Sequence, residues 1–565
     1  MSDQMESDND TIVDRLHITV LASPDKLFCI HILDEDPEYI SYGQLWKHSL
    51  SYAHAYLSAG KRPGDIVLII TQHSPHLYYA FVGAMMAGLI PSIMPYATPK
   101  QDPVLYWASH RTLFERIQPR CIVASPSVAS DLRHHLPDWS DLITEVGAIQ
   151  RASILEKELT SRRAEDTAFL QHSSGTTALK KGVMLTHAAV LRQVDTYAKV
   201  LEFTGDHRVA SWLPLYHDMG LIAAFMMPLI VGASVVMLDP FQWVARPEIL
   251  LEAIQRYHAH YCWLPNFAFN HLARAARPPQ DLDLSSIVAL INCSEPCRAD
   301  SFRLFEDRFR SHGLPPNSLQ VCYAMAETVF AVSQTPRGSS PRITLADAES
   351  FHMDGRVQSP RAGMPQLEFL SCGAPLAEMD VHIRDPETEE TVAAGQQGQV
   401  HLRAPWLFSG YFGLPELTNA KLANGWYATG DLGFMHEGHL YITGRTDDLL
   451  IVYGRNFYAH HAEEIVNQFP GVIPGRCVTV TIDSAASGTR EAVLIAEVTP
   501  DVDQGGLRRQ VKERVLLLLG LNLHRLKFVP AGWLIKTTSG KIARTANKAK
   551  YLQEIGFRNE PGNIP

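Results

Sequence analysis

Short apolar segments alternate with amphipathic helical stretches along this chain, and that rhythm limits the possible folds more than any other feature. Asp65-Ile66-Val67-Leu68-Ile69-Ile70 reads as a strand buried on both faces. His76 to Ala87 reads as a helix, and Leu89 to Met94 follows a turn as another apolar segment. Pro247 suits a helix start, where its missing N–H would have had no partner. Ile249, Leu250, Ala253, Ile254 and Tyr257 then fall on one helical face, and Tyr261-Cys262-Trp263-Leu264 follows as a strand. Helices alternating with buried strands predict an α/β architecture with largely parallel sheets.

At 565 residues the chain is too long for one ordinary core, and length suggests roughly two to four units. Hydrophobic residues make up 46% and charged residues 19%, as in a packed globular enzyme. A net charge of -10 argues against bulk electrostatic binding to nucleic acid. Met1 to Asp14 is acidic and polar, with no basic or apolar region of a secretory signal. The apolar run Leu221 to Leu238 is interrupted by Pro228 and Gly232. It therefore reads as a helix, a break and a buried strand over Ser234 to Leu238, with no stable membrane insertion. Eight cysteines include no CxxC pair, and Cys293 and Cys297 lack a histidine pair to complete a metal site. Reduced thiols in a cytoplasmic protein are the plain reading.

Composition changes from Thr335 to about Ser371, where Pro336, Gly338, Pro341, Gly355, Pro360, Gly363 and Pro365 interrupt any long period. This stretch reads as a loop-rich insertion. Gln396 to Tyr411 returns to strands, a compact α/β unit runs from Gly444 to about residue 552, and Phe557 to Pro565 reads as a frayed tail.

Five segments carry chemistry. His172-Ser173-Ser174-Gly175-Thr176-Thr177-Ala178-Leu179-Lys180-Lys181-Gly182 follows the apolar strand Ala168-Phe169-Leu170. Closely spaced hydroxyls and a glycine let backbone and side-chain donors converge on phosphate oxygens, and Lys181 adds positive charge. The spacing is not that of the P-loop ATPases. Alone, such a string also fits a polar surface turn. Tyr323-Ala324-Met325-Ala326-Glu327 offers an aromatic face for a base and a carboxylate for Mg²⁺. Tyr427-Ala428-Thr429-Gly430-Asp431 ends on an acid suited to ribose hydroxyls. Gly444-Arg445-Thr446-Asp447-Asp448 adds a guanidinium and two carboxylates, and Thr537-Thr538-Ser539-Gly540-Lys541-Ile542 presents one lysine.

In this order, the segments resemble the adenylate-forming superfamily of acyl-CoA synthetases, luciferases and peptide-synthetase adenylation domains, from about residue 40 to 550. The resemblance implies a large N-terminal domain of stacked α/β subdomains, residues 1–445, and a small mobile α+β domain, 446–565, hinged at Asp447. It assigns Ser173, Ser174, Gly175, Thr176, Thr177 and Lys181 to the β- and γ-phosphates of ATP, and Ser294, Glu295 and Pro296 to the adenine. Tyr323 would stack on the base beside Ala324, Met325 and Ala326; Glu327, with Thr176, would hold Mg²⁺. Asp431 would bind the ribose, Arg445 the ribose and phosphate, and Lys541 the α-phosphate and the attacking carboxylate oxygen. Ala178 departs from the family's usual glycine, and Ala459 from a common proline.

Ser211-Trp212-Leu213-Pro214-Leu215-Tyr216-His217-Asp218-Met219-Gly220-Leu221 is similar to the fatty acyl-AMP ligase branch, as are Leu264 to Phe269 and Leu450 to Asn456. That likeness implies a fatty or related apolar acid, with His217 beside its carboxylate and Trp212, Met219, Met226 and Phe267 along its chain. In that branch an insertion restrains the small domain, CoA is a poor acceptor, and the acyl group passes to an acyl carrier protein, often in polyketide or nonribosomal peptide assembly. The 335–371 stretch lies where the insertion is expected. An acyl-CoA synthetase and, more remotely, a non-catalytic nucleotide-binding protein are the other readings.

Overall fold

The computed structural model describes residues 10–33, 36–98, 103–149, 162–173, 181–452, 455–484, 489–536 and 542–558. Among them the largest sheet has nine strands. Its centre is parallel, running Leu319–Ala324, Ala289–Asn292, Tyr261–Leu264, Arg208–Ser211, Ser234–Met237 and Leu27–Leu33. Antiparallel strands close both edges. A second sheet, wholly parallel, orders Ile90–Ile93, Ile66–Ile70, Cys121–Ala124 and Ile143–Glu145. Ile66–Ile70 is buried at every position, as a strand covered on both faces must be. The α/β expectation holds.

Two further antiparallel sheets belong to the larger part. One pairs Thr167–Ser173 with Lys181–Thr186 and adds the short strand Gly410–Tyr411. The other is built on Trp426–His436, flanked by Gly398–Arg403 and His439–Arg445. Beyond Leu449 the chain forms a separate sheet of Val472–Ser484, Thr489–Val498 and Leu523–Val529. Helices Ala459–Asn467, Gln504–Leu519 and Arg544–Arg558 accompany it. Its faces bury distinct apolar clusters, one around Leu494, Val511 and Val515, the other around Val493, Ile495 and Tyr551. The last helix reaches Arg558, past the start of the tail expected from Phe557, and the rest of that tail lies outside the described residues.

The 335–371 stretch, expected as loop-rich, carries regular elements between its loops. Strand Ile343–Asp347 pairs antiparallel with Gln366–Leu370, and helix Ala348–Asp354 lies between them in sequence. Asp347 caps that helix by accepting the Ser350 N–H at 3.0 Å. Gly355, at φ +66°, ends the helix, and Pro365 immediately precedes the second strand. Phe351 and Phe369 join Phe434 and Tyr441 in one cluster that also takes in Tyr458.

The apolar run before Ser234 is not a helix broken at Pro228. Met219–Met226 is a π-helix that continues into the α-helix Met227–Val231, and Pro228 sits in the first turn of the latter, where no N–H is needed. Gly220 lets the π-helix pass its own lead-in, since a Cβ there would lie 2.3 Å from the Pro214 carbonyl oxygen.

Candidate active site

Strand pairing brings Asp431 and Arg445 directly opposite each other.

 The register of Trp426–His436 against His439–Arg445 sets this pair. Arg445 Nε lies 3.1 Å from Asp431 Oδ1, and the Tyr323 hydroxyl donates to Asp431 Oδ2 at 2.5 Å. Tyr323 reaches it from the end of Leu319–Ala324 in the nine-stranded sheet, so this trio joins two sheets. Burial, and then the Asp431 carboxylate, push the Tyr323 phenol well above its ordinary range, which keeps it a donor. Its ring remains partly exposed.

Glu327 follows Tyr323 by one tight turn, Ala326–Thr328, which Ala324 and Met325 lead into. The turn closes through Val329, whose φ is +61° and ψ -56°, with the Phe330 N–H donating to the Thr328 carbonyl at 2.6 Å. A β-branched residue at positive φ costs about 1–3 kcal/mol, and such strain persists where the surroundings enforce it. Here Thr328 Oγ1 lies 2.8 Å from the Phe330 carbonyl oxygen and the Phe408 N–H donates to the Glu327 carbonyl at 2.9 Å. The Glu327 side chain is buried, and the Tyr411 hydroxyl donates to its Oε1 at 2.7 Å. Burial, and then Glu327, push the Tyr411 phenol up.

Lys181 opens the second strand of the hairpin whose first strand ends at Ser173, and the two residues are register partners. Lys181 Nζ stands 5.3 Å from the centre of the Tyr411 ring. Lys181 is therefore held near Glu327. Ser174, Gly175, Thr176 and Thr177, with Ala178, lie outside the described residues, as do Lys541 and the side chains of Ser173 and Asp447.

The expected adenine segment adjoins the expected acyl segment. Ser294 has φ +72°, and its Oγ lies 3.9 Å from Met219 Sδ. Glu295 Oε1 accepts the Phe267 N–H at 2.6 Å, and Pro296 is exposed. Asn266 Oδ1 accepts from Asn292 Nδ2 at 2.9 Å and from the Arg298 N–H at 3.1 Å, fixing the loop to helix Asn266–Ala275. Trp212 stacks on Trp243 with ring centres 3.7 Å apart and planes 7° from parallel; Phe267 stands edge-on to both at 6.1 Å. Phe267 is 47% exposed, so it forms the outer edge of this wall, whereas Met219 and Met226 are buried in the π-helix. His217 Nδ1 is 2.6 Å from Asp218 Oδ1, which also accepts the Met219 N–H at 2.8 Å. Among the described residues no group of histidine, cysteine and acidic side chains is arranged as a metal cage.

Sequence reasoning missed Tyr411, Asn266 and Arg298. Tyr411 is 84 residues from Glu327, and no local pattern marks it.

A family model described as AMP-binding enzyme matches residues 17–412, well over half of the chain. The chain belongs to the AMP-binding enzyme family. Its likeness within that family is to the fatty acyl-AMP ligase branch. It is 29% identical to the long-chain-fatty-acid–AMP ligase FadD32 of Mycolicibacterium smegmatis, over 92% of this chain and 90% of that one. It is 30% identical to the putative fatty-acid–CoA ligase fadD21 of Mycobacterium leprae, over 91% and 92%. A solved structure from work on fatty acyl-adenylate ligases of E. coli and L. pneumophila has a TM-score of 0.88 at 26% identity, covering 97% of this chain and 98% of that one.

Proposed function

We propose that the chain uses ATP to convert a fatty or related apolar carboxylic acid to acyl-AMP, then passes the acyl group to the phosphopantetheine thiol of an acyl carrier protein. The observation that carries the reading is the convergence of Tyr323, Asp431 and Arg445 beside Glu327 and Lys181, at the base of the hairpin carrying the phosphate loop. Relatives named long-chain-fatty-acid–AMP ligase support the choice of acid.

In the reaction an oxygen of the acid attacks the α-phosphorus, its bond to the β-phosphate oxygen breaks, and pyrophosphate leaves. No proton need move. Two anions must meet, so Lys181 at the phosphates and Lys541 at the α-phosphate offset their repulsion. Asp431 binds the ribose hydroxyls, and its bonds to Tyr323 and Arg445 fix its direction. Glu327 fits a divalent cation: it is a hard oxygen donor, and among the described residues its Oε2 makes no hydrogen bond. Mg²⁺, bound by Glu327 with Thr176, would neutralise triphosphate charge and stabilise the departing pyrophosphate. Asp431→Ala is expected to raise the KM for ATP about tenfold or more while leaving that for the acid unchanged. An unaltered KM for ATP counts against the ribose role.

We place the hinge at Asp447, between residues 1–445 and 446–565; the apolar cluster around Leu494 draws only on residues from Leu450 onward. Carrier-protein transfer is supported by the insertion. Helix Ala348–Asp354 brings His352 to 5.9 Å from the Phe457 ring, and Tyr458 completes the cluster around Phe351, bracing the C-terminal unit. Eight unpaired cysteines suit a cytoplasmic location, and among the described residues no helix is long and apolar enough to cross a membrane.

The second reading, CoA as acceptor, is favoured by relatives named putative fatty-acid–CoA ligases. Hydroxamate trapping across acids of increasing length, then thioester assays with a phosphopantetheinylated carrier and with CoA, test both steps. Long-chain acids should be trapped and the carrier should be acylated. Robust acyl-CoA formation selects the second reading, and no acid-dependent pyrophosphate release removes both.

A further inference from the structure

We propose that Tyr411 is a positioning residue that sets the Glu327 carboxylate for a divalent cation and ties it to the hairpin of the phosphate loop. The inference rests on the reading of Glu327 as the cation's carboxylate. Three contacts of one residue carry it, two of its side chain and one of its backbone. The Tyr411 hydroxyl donates to Glu327 Oε1 at 2.7 Å, so the carboxylate is fixed by one oxygen and keeps the other for a ligand. The Tyr411 ring lies beneath Lys181 Nζ at 5.3 Å, within reach of a cation–π attraction. Its backbone pairs with Val183, two residues along the same strand from Lys181.

A tyrosine serving only to fill the core needs none of this arrangement. Here the hydroxyl lies in a row, with Tyr427 Oη 3.5 Å behind it and Glu327 ahead. The short strand Gly410–Tyr411 is in turn anchored, because the Tyr411 N–H donates to Thr418 Oγ1 at 2.9 Å and the Phe412 N–H donates to the Gly182 carbonyl at 2.8 Å. A carboxylate on the Ala326–Thr328 turn and a lysine on the hairpin thus share one support. The phenol thus ties the Glu327 carboxylate to the strand that pairs with the hairpin.

The test measures binding without turnover. Full-length protein is titrated with a fluorescent, non-hydrolysable ATP analogue at increasing Mg²⁺, with no acid present. Tyr411→Phe keeps the ring and removes the hydroxyl. Its Mg²⁺ midpoint should rise about tenfold, the loss expected for one hydrogen bond to a charged group. Binding of the analogue without Mg²⁺ should stay at the wild-type level. Glu327→Gln should lose the Mg²⁺ enhancement. If Glu327→Gln loses it while folded Tyr411→Phe keeps the wild-type midpoint, the positioning role is overturned and the carboxylate's role stands. If Glu327→Gln keeps the enhancement, both fall. Should Tyr411→Phe fail to fold, Thr418→Ala loosens the strand without touching the phenol; a raised midpoint supports the proposal and an unchanged one overturns it.

Discussion

Replacing Lys541 with alanine is expected to cut adenylate formation on the order of a hundredfold or more, the usual loss when a preorganised charge at the reacting centre is removed. The lysine would meet both anions as the new P–O bond forms, so its charge counts most in the transition state and kcat should fall more than the KM values rise. Acid-dependent pyrophosphate release measures the loss directly. The thermal midpoint should be unchanged, because the replacement removes a charge and leaves the described apolar clusters on either side of the small sheet intact. Near-normal pyrophosphate release from the folded variant would remove Lys541 from the chemistry.

Arg544→Ala should destabilise the C-terminal unit by about 3–5 kcal/mol, the cost of breaking a buried ion pair from one side. Arg544 Nε donates to Asp448 Oδ1 at 2.7 Å, its Nη2 to Glu463 Oε2 at 3.3 Å, and its Nη1 to Glu463 Oε1 and the Thr479 carbonyl. Burial disfavours its charge, yet Glu463 and Asp448 outweigh that and hold the guanidinium charged beyond its normal range. Without it, two carboxylates and a carbonyl lose a shared donor. Arg544→Lys should recover part of the loss, since an ammonium carries the charge but cannot fork. Hydrogen exchange is the measurement of choice: protection should fall in Val472–Ser484 and Ala459–Asn467 and persist in the nine-stranded sheet. Uniform loss across the chain would contradict a local role.

Much of the architecture could be read in advance because buried parallel strands have a plain signature. Ile66–Ile70 and Tyr261–Leu264 are apolar throughout and bounded by helical periods. The elements inside the insertion were not legible because Ile343 and Leu345, the large apolar residues of their strand, are 47% and 40% exposed. The π-helix was hidden for the opposite reason: Met219 to Met226 are all buried, and a segment apolar on every side shows no period. For the site, Tyr323, Asp431, Arg445 and Glu327 were named from motifs, while their mutual distances depend on sheet register between segments 108 residues apart. Tyr411 had no motif at all.

A π-helix differs from an α-helix by about one extra residue per turn, so Met219–Met226 can be treated as a one-residue insertion preserved in the chain. Deleting a single residue there would restore an ordinary helix and swing every following side chain by about 100° about the axis. Met226 would then leave its present direction, while Gly232 and the strand after it would have to absorb the shortfall in length. With Met219 and Met226 proposed along the acyl chain, the range of acids would be open to change by altering the count of residues as well as their kind. One-residue deletions between Gly220 and Met226, screened by chain length of the trapped hydroxamate, should shift that range in steps that side-chain substitution alone does not reach.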